Sequence, residues 1–451
     1  CNLNKKKYKN LIINISKRMK TFNRIIILSL ILFGAGSLKA QNQLALSLDS
    51  AIQFALTHNK TLINSQYAIE NSNQKYKESV SYWLPQVSAA VDYSNFLGAE
   101  ASLQLNPMAP PAVIEFNPTS NFKATATQII FNGSVYVGIQ LAQLAKDLST
   151  QTYKKDELTV KEQTIQAYYI ILVSERIMDI INKNIENAQQ IYEKTNNLAK
   201  AGMIEETEAK KLSVMVTTVQ NAKKSTERQI ELGYNLLLLQ LGLESDTSIK
   251  LTTGIDEISS KYIISKEGSE TFNIQNNLDY KLIELQSKIS KKAIDLKKVN
   301  YLPSLVSFYS HTEKIEKAAF DMTPKNVLGL TLNIPIFSSG QRCAQLNQAR
   351  ITYKITENSK ALVKQQLTLQ EKQLRYNYKN LYEQYINQKE NAEVAKEILE
   401  KMNIKYQQGL VSSLEFTSAN STYLTAETNL TSIMLELLNA ELALRKMNNN
   451  L

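Results

Sequence analysis

The sequence predicts a mainly α-helical chain with a four-stranded antiparallel β contribution, organised as two similar halves. Three observations support this fold class. The eight prolines of the 451-residue chain all fall within residues 85–118 and 303–335, so nothing breaks a helix in the long stretches outside these windows. Both windows carry segments in which apolar and polar residues alternate. Short landmarks recur in the same order in both halves, which indicates an internal duplication.

The N-terminus predicts an export signal. Basic residues after Met19 lead into the apolar run 25–33, and small residues then follow as far as Ala40. We therefore expect a signal peptide over residues 19–40, cleaved after Ala40, and an upstream, non-native start segment over residues 1–18. The alternative is an N-terminal membrane anchor, for which the apolar run is short.

The net charge of +10 belongs to this leader. The chain has 52 basic and 42 acidic residues, and residues 1–40 hold nine of the basic ones and no acidic one. The rest of the chain therefore carries 43 basic residues (52 minus nine) against 42 acidic ones, a net charge of +1. Such an even balance gives no indication of a nucleic-acid partner.

The landmarks of the duplication are separated by nearly constant offsets. They are residues 83–87 and 301–305, residues 130–133 and 336–340, and residues 201–204 and 408–411. They predict a first structural repeat over 41–245, a linker or equatorial segment over 246–272 and a second repeat over 273–451. The first copy has a longer loop between its first two landmarks, and residues 106–111 lie inside it.

Each repeat is predicted to contain a pair of strands. The alternation indicates strands at about 85–96 and about 122–131 in the first repeat, and at about 303–311 and about 327–336 in the second. About ten residues is the length of a tilted transmembrane β-strand, and aromatic residues near the strand ends suit the interfacial girdles of such barrels. The alternative is an ordinary hairpin in a soluble α+β domain.

Long helices are predicted to follow each strand pair. The stretches 134–199 and 340–406 contain no proline, and their leucines seven residues apart are typical of coiled coils. Each would span about 100 Å as a helix. Gly202 and Gly409 predict the turns into shorter returning helices. The opening helix of each half, predicted over 48–82 in the first, is also short, so we expect two short helices stacked end to end beside each long one.

The strand count predicts oligomerisation. Four strands cannot close a barrel, and open strand edges do not occur in lipid. A trimer would supply a 12-stranded transmembrane β-barrel and a long α-helical coiled-coil barrel of twelve columns.

The duplication, the Leu-Pro strand starts, the Phe-x-x-Gly strand-to-helix junctions and the glycine turns followed by acidic residues together resemble the TolC family of outer-membrane channel proteins. The resemblance covers essentially all of the mature chain. It implies a homotrimer in the outer membrane of a Gram-negative bacterium, in contact with outer-membrane lipid and with a long periplasmic part. It also implies a passive exit duct of a tripartite efflux or type I secretion system. Such a duct opens when a periplasmic adaptor (membrane fusion) protein and an inner-membrane transporter of the RND, ABC or MFS type dock.

The resemblance further implies pore and gate residues. The family's acid six residues after the turn glycine is matched by Glu208, with Thr207 before it, and in the second repeat by Glu415. Ser418 occupies a second acidic position of the family and departs from it. Three copies of Glu415 are expected to form an acidic ring that favours cations. Tyr406 matches a tyrosine three residues before the second glycine, which implies a closing link between Tyr406 and Glu208.

The hairpin tips are expected to dock the adaptor, through Gly202 and Met203 in the first repeat and Gly409 and Leu410 in the second. Val411 stands where the family's prototype has an arginine, so one basic closing link is expected to be absent. The predicted strand–helix junctions are marked by Pro85, Gly133, Pro303 and Gly340.

No catalytic, cofactor-binding or metal site is predicted, and an enzyme is not expected. The two histidines, His58 and His311, lack the spacing of a metal site or a catalytic triad, and no phosphate-binding glycine loop occurs. The competing function is a periplasmic coiled-coil adaptor or structural envelope protein. Adaptors share a long helical hairpin, but they carry a single one, flanked by lipoyl-like β-segments.

Overall fold

The computed structural model describes residues 44–104, 112–263, 272–316 and 323–451. Its helices are α1 (Leu48–His58), α2 (Lys60–Ser81), α3 (Gly133–Lys200), α4 (Glu206–Leu241), α5 (Ile255–Tyr262), α6 (Leu278–Val299), α7 (Gln341–Gln407) and α8 (Ser413–Met447). Its strands are β1 (Leu44–Leu46), β2 (Gln86–Ser94), β3 (Glu100–Leu103), β4 (Ala112–Glu115), β5 (Thr119–Phe131), β6 (Ile249–Leu251), β7 (Ser304–Glu316) and β8 (Asn326–Asn333). The predicted leader over residues 1–40 and the predicted loop segment 106–111 lie outside the described residues.

The predicted mainly helical chain with an antiparallel sheet is confirmed. The main sheet has the strand order β2-β5-β7-β8, and every neighbouring pair is antiparallel. β8 ends at Asn333 rather than at 336, because Asn333 pairs with Ser304 at the start of β7 and Pro335 has no N–H to extend the ladder. The longer loop of the first half forms a separate antiparallel pair, β3 with β4.

The two faces of the main sheet differ in polarity. Alternate residues of the paired strands share one face. Its exposed apolar side chains include Val87, Val91, Phe122, Tyr309, Leu328, Leu330 and Leu332, and the same face also carries Gln128, His311 and Glu313. The opposite face is more polar, with Asp92, Asn121, Lys123, Thr125, Ser310 and Thr312, although Val306 and Phe308 also lie on it. β2 and β8 form the two edges of this sheet, and each is paired on one side only within the part of the chain that the structure describes.

The helices form four columns that follow the order of the strands. Next to the sheet, α2 packs on α3, α3 on α6, and α6 on α7. Farther from the sheet, α4 packs on α3 and α8 packs on both α3 and α7. The columns are therefore α2 with α4, then α3, then α6 with α8, then α7. Within the described ranges, no helix combines the length and the apolar character that crossing a membrane requires.

Two buried asparagines join the short helices end to end, which confirms the predicted stacking. The side-chain oxygen of Asn59 accepts hydrogen bonds from two N–H groups in the first turn of α2, and its amide donates to the Gln240 carbonyl at the end of α4 at 2.8 Å. Asn277 caps α6 in the same way, and its amide donates to the Met447 carbonyl at the end of α8 at 3.1 Å. The prediction of one helix over 48–82 is wrong, because Asn59 takes an extended conformation (φ −62°, ψ 127°) that separates α1 from α2.

The largest hydrophobic cluster surrounds the middle of the columns. It combines α1, α5 and the parallel β1–β6 pair with residues of α3, α4 and α8. The hydroxyl of the fully buried Tyr168 donates to the Leu46 carbonyl at 3.1 Å and accepts from the Thr253 N–H at 3.2 Å. The columns are thus held at mid-height, between the sheet at one end and the hairpin turns at the other.

A carboxyl group is buried between the columns. Glu441 on α8 is 5% exposed, its Oε1 lies 3.9 Å from the Arg445 Nε, and its Oε2 has no hydrogen-bond partner among the described residues. Burial raises the pKa of Glu441 to about 7, and the attraction of Arg445 offsets this only in part. Burial, with a smaller contribution from Glu441, raises the pKa of the neighbouring Tyr378 to about 12.

Two substitutions of Asn59 should distinguish its two roles, which are capping of α2 and the hydrogen bond that joins α2 to the end of α4. Asn59→Asp keeps the capping oxygen but loses the donor to the α4 carbonyl, so it should lower the free energy of unfolding by about 1–3 kcal/mol. Asn59→Ala also loses the cap and should cost about 1 kcal/mol more. Denaturant unfolding of the purified protein measures both. Asn132 provides the control. Its side-chain oxygen accepts from the Ser134 N–H and so caps α3, but among the described residues it makes no hydrogen bond to the end of a second helix. Asn132→Asp should therefore be nearly neutral. An equal loss at both positions would contradict the joint.

Glu441 should make stability depend on pH. Its pKa is raised in the folded state, so its favourable contribution is complete below the unfolded pKa and is lost as pH rises through about 7. The loss amounts to about 3 kcal/mol. Glu441→Gln should remove this pH-dependent loss of stability, and it should raise the thermal midpoint at about pH 8 relative to the unmodified protein. Glu436→Gln, on the exposed side of α8, is the control. Identical pH profiles for the Glu441→Gln and unmodified proteins would refute the assignment.

Candidate functional site at the hairpin tips

Both long helices end in the same kind of turn. Gly202 and Gly409 have φ values of +71° and +72°, a left-handed conformation that glycine adopts without strain. The next residues, Met203 and Leu410, donate N–H bonds to carbonyls five residues earlier at 3.0 and 2.9 Å, which closes a Schellman motif at each turn. Met203 and Leu410 are 70% and 69% exposed. Each tip therefore presents a highly exposed apolar side chain to its surroundings.

Side chains of the α3–α4 hairpin bond to side chains of the α7–α8 hairpin near these tips. The hydroxyl groups of Tyr406 and Thr195 lie 2.8 Å apart. The Tyr406 ring stacks on the Phe416 ring with 5.3 Å between centroids. The Ser413 hydroxyl donates a hydrogen bond to the Glu208 carboxylate. Two polar links therefore connect the hairpins within one chain.

The Glu208 carboxylate is stabilised in its charged form. Lys211 Nζ donates to its Oε1 at 2.8 Å, and Ser413 donates to its Oε2. The Lys211 bond first, and then the Ser413 bond, hold the pKa of Glu208 below its usual range. The carboxylate link is therefore present at neutral pH and weakens only as pH falls through that lowered pKa.

The expected Tyr406–Glu208 bond is not formed within the chain. The Tyr406 hydroxyl is engaged by Thr195, and the Glu208 carboxylate is engaged by Ser413 and Lys211. Both side chains nevertheless line the same cavity of about 530 Å³ between the hairpins, together with Val411. Tyr406 and Glu208 are thus neighbours that bond to other partners.

Glu415 is exposed and completes a capping box at the start of α8. The Ser412 N–H donates to the Glu415 Oε2 at 2.8 Å, and the Glu415 N–H donates to the Ser412 Oγ at 3.3 Å. The hydrogen bonds from the Ser412 backbone and side chain lower the pKa of Glu415. Ser418 is exposed one turn farther along α8, and Thr207 donates to the Glu205 carboxylate at 2.9 Å. Among the described residues, no side-chain hydrogen bond joins Glu415, Ser418 or Thr207 to Tyr406 or Glu208.

A buried amide pair, which the sequence analysis missed, joins the hairpins farther from the tips. Asn184 on α3 and Asn420 on α8 exchange two hydrogen bonds of 2.7 and 3.1 Å, and both are almost fully buried. The signal was present in the sequence. Asn184 and Thr195 occupy the same 3–4 spacing as the apolar core positions of α3, which run through Ile181 and Ile191. Polar residues in such a seam indicate a cross-helix hydrogen bond.

The four predicted strand–helix junctions lie together at the helical end of the sheet. Pro85 and Pro303 immediately precede β2 and β7. Gly133 begins α3 where a Cβ atom would lie 2.8 Å from the Val299 Cβ, so this glycine lets α3 and α6 approach closely. Gly340 precedes α7 with a φ of +80°.

Residues 273–450 match the model of the family described as outer membrane efflux protein. The outer membrane protein TolC of Salmonella enteritidis is 22% identical over 303 residues, which cover 62% of this chain and 57% of that protein. TolC of Escherichia coli (strain K12) is 23% identical over 354 residues, which cover 73% of this chain and 66% of that protein. The alignments therefore span less than two thirds of these relatives' own length.

The fold is shared with solved outer-membrane channels. The CmeC outer membrane channel of Campylobacter jejuni superposes with a TM-score of 0.72 and 14% identity, covering 89% of this chain and 85% of that one. The relatives are outer-membrane proteins, which confirms the predicted localisation. The match of residues 273–450 to the efflux-protein family, the two TolC relatives and the shared fold confirm the resemblance to the TolC family that was inferred from the sequence.

Proposed function

We propose that three copies of the chain form a passive exit duct through the outer membrane. The observation that carries this proposal is the main sheet, with one exposed face rich in apolar side chains, one more polar face and two edges that are unpaired among the described residues. Three copies would pair β2 of each chain with β8 of the next and close twelve strands. Their apolar faces would contact lipid and their polar faces would line a lumen. The channel relatives support a duct rather than an enzyme.

The helical columns support closure by the same neighbours. The edge column α7 exposes a stripe of apolar side chains seven residues apart: Ile355, Leu362, Leu369 and Tyr376. The opposite edge column exposes Tyr67 on α2 and Leu232 and Leu239 on α4. At 1.5 Å per residue, Tyr67 and Ile355 both lie about 20 Å from the sheet, and Leu232 and Tyr376 both lie about 50 Å from it. The two stripes therefore match in height.

An internal duplication is supported by bonds that recur at fixed offsets. Asn59 and Asn277 are 218 positions apart, while their acceptors Gln240 and Met447 are 207 apart. A second pair of bonds repeats the same offsets: Ser72 with Ser149, at 2.7 Å, and Ser290 with Thr356, at 3.1 Å. These bonds support repeats over 41–245 and 273–451, joined by an equatorial segment over 246–272.

The hairpin tips would form the periplasmic gate of this duct. The bonds between Tyr406 and Thr195 and between Ser413 and Glu208 hold the two hairpins of each chain together, and opening would require the hairpins to separate. Three copies of Glu415 would form an acidic ring. The exposed Met203 and Leu410 would contact a periplasmic adaptor, and an inner-membrane transporter of a tripartite efflux or type I secretion system would supply the driving energy.

Planar-bilayer conductance tests this function. The purified protein should form pores with low resting conductance that prefer cations. Tyr406→Phe removes the hydroxyl bonded to Thr195, a bond of about 1 kcal/mol, and should raise the resting conductance several-fold. Glu415→Gln keeps the capping box but removes the charge, and should reduce cation preference. Tyr192→Phe, at the same tip, is the control. Absence of pores would contradict the duct, and unchanged behaviour of both variants would contradict the gate.

A further inference from the structure

Basic side chains gather where the helical columns meet the sheet. The ten helical residues nearest the sheet in each column are 72–81, 133–142, 290–299 and 341–350. These segments hold eight basic residues and two acidic ones, Glu78 and Asp295, a net charge of +6 (eight minus two). The linkers between them and the strands hold no charged residue. We call this surface the basic collar.

The collar is confined to one end of the sheet. The adjoining parts of the strands, residues 86–91, 124–131, 304–310 and 327–333, contain no Asp, Glu, Lys or Arg. Beyond this neutral band, the described residues of 92–123 and 311–326 hold five acidic and three basic side chains. The sheet therefore separates a positive end, at the helices, from a slightly negative end.

Several ammonium groups of the collar have no acidic partner among the described residues. Two others share one carboxylate, since Lys292 and Lys298 lie 3.4 and 3.2 Å from Asp295. Arg342 bonds to the Ser338 hydroxyl and the Pro335 carbonyl and is thus engaged locally. For the remaining lysines, no carboxylate of the described residues lies within 4.0 Å: Lys75, Lys77, Lys291 and Lys297. These four charges are available to an external anion.

These lysines lie near the ends of the helices that adjoin the sheet. The polar layer on each side of a bilayer is about 5–8 Å thick. At 1.5 Å per residue, Lys297 and Lys77 lie about 3 and about 6 Å along their helices from the end that adjoins the sheet. The others lie within about 12 Å, and a lysine side chain can extend toward the interface. The exposed Trp83 and Tyr301 lie between the lysines and the strands, as aromatic residues do at membrane interfaces.

We infer that the basic collar binds the phosphate groups of anionic phospholipids in the leaflet that faces the helices. This inference rests on the proposed function, since the sheet must be inserted in a membrane for its end to meet headgroups. Flexible lysines that carry point charges suit several mobile phosphates rather than one rigid anion. Each contact near a membrane surface favours binding about fivefold. The collar would therefore select anionic lipid and fix the depth at which the sheet is inserted.

The test compares two fourfold Gln variants of equal net charge. The collar variant replaces Lys75, Lys77, Lys291 and Lys297. The matched control replaces four exposed lysines far from the sheet, namely Lys183, Lys224, Lys389 and Lys396. Native mass spectrometry of the detergent-purified oligomer measures binding of phosphatidylglycerol and of phosphatidylcholine. The unmodified protein and the control should prefer phosphatidylglycerol by more than about tenfold, and the collar variant should lose this preference. The preference should also fall as salt is raised.

Conductance of the same preparations distinguishes this inference from the proposed function. Pores without a preference for phosphatidylglycerol would overturn the collar and leave the duct intact. A preference for phosphatidylglycerol that persists in the collar variant would also overturn the inference about the basic collar. If the collar variant changed only ion selectivity, the lysines would face the lumen and the inference would be wrong. A protein that forms no pores would overturn both proposals.

Discussion

Unpaired backbone groups on the two edge strands constrain everything else in this structure. β2 and β8 each leave one row of N–H and C=O groups without a ladder partner in the sheet. Water satisfies such groups, but in hydrocarbon each unpaired group costs several kcal/mol. The same sheet has an apolar, exposed face, so its surroundings cannot be only water. Pairing each edge with another copy resolves both problems. In the proposed trimer, the exposed stripes on α7 and on the α2–α4 column would be covered at the same edges.

The closed wall proposed for the trimer would also need columns of equal height, which the asparagine joints can supply. α3 and α7 are single helices of 68 and 67 residues, whereas the other two columns are each assembled from two shorter helices. Helix ends expose N–H and C=O groups that are costly to bury. Asn59 and Asn277 satisfy both ends at once, because each accepts from the first turn of one helix and donates to the last turn of another. The wall therefore continues across the break.

The sequence predicted the fold to the extent that local signals determine it. Proline placement, alternation and glycine turns located the four strands, both long helices and both tips within a few residues. The break at Asn59 was missed because its cause is a contact with α4, about 180 residues away. The tip was predicted less well. The family resemblance indicated Tyr406 and Glu208, but their partners Thr195 and Ser413 follow from how two hairpins pack, which spacing alone does not specify. Asn184 and Asn420 were detectable as polar residues in an apolar seam.

Disulfide trapping between the edge strands tests the central claim most directly. Within one chain β2 and β8 are separated by two strands, a distance of about 14 Å that no disulfide can bridge. In a Cys343→Ser background, Val87→Cys is combined in turn with Leu328→Cys, Leu330→Cys and Leu332→Cys, and membranes are oxidised. The account predicts covalent dimers and trimers for at least one pair, and none when Ala124→Cys on the central strand β5 replaces Val87→Cys. Monomers alone for every edge pair would contradict closure of the sheet by neighbouring copies.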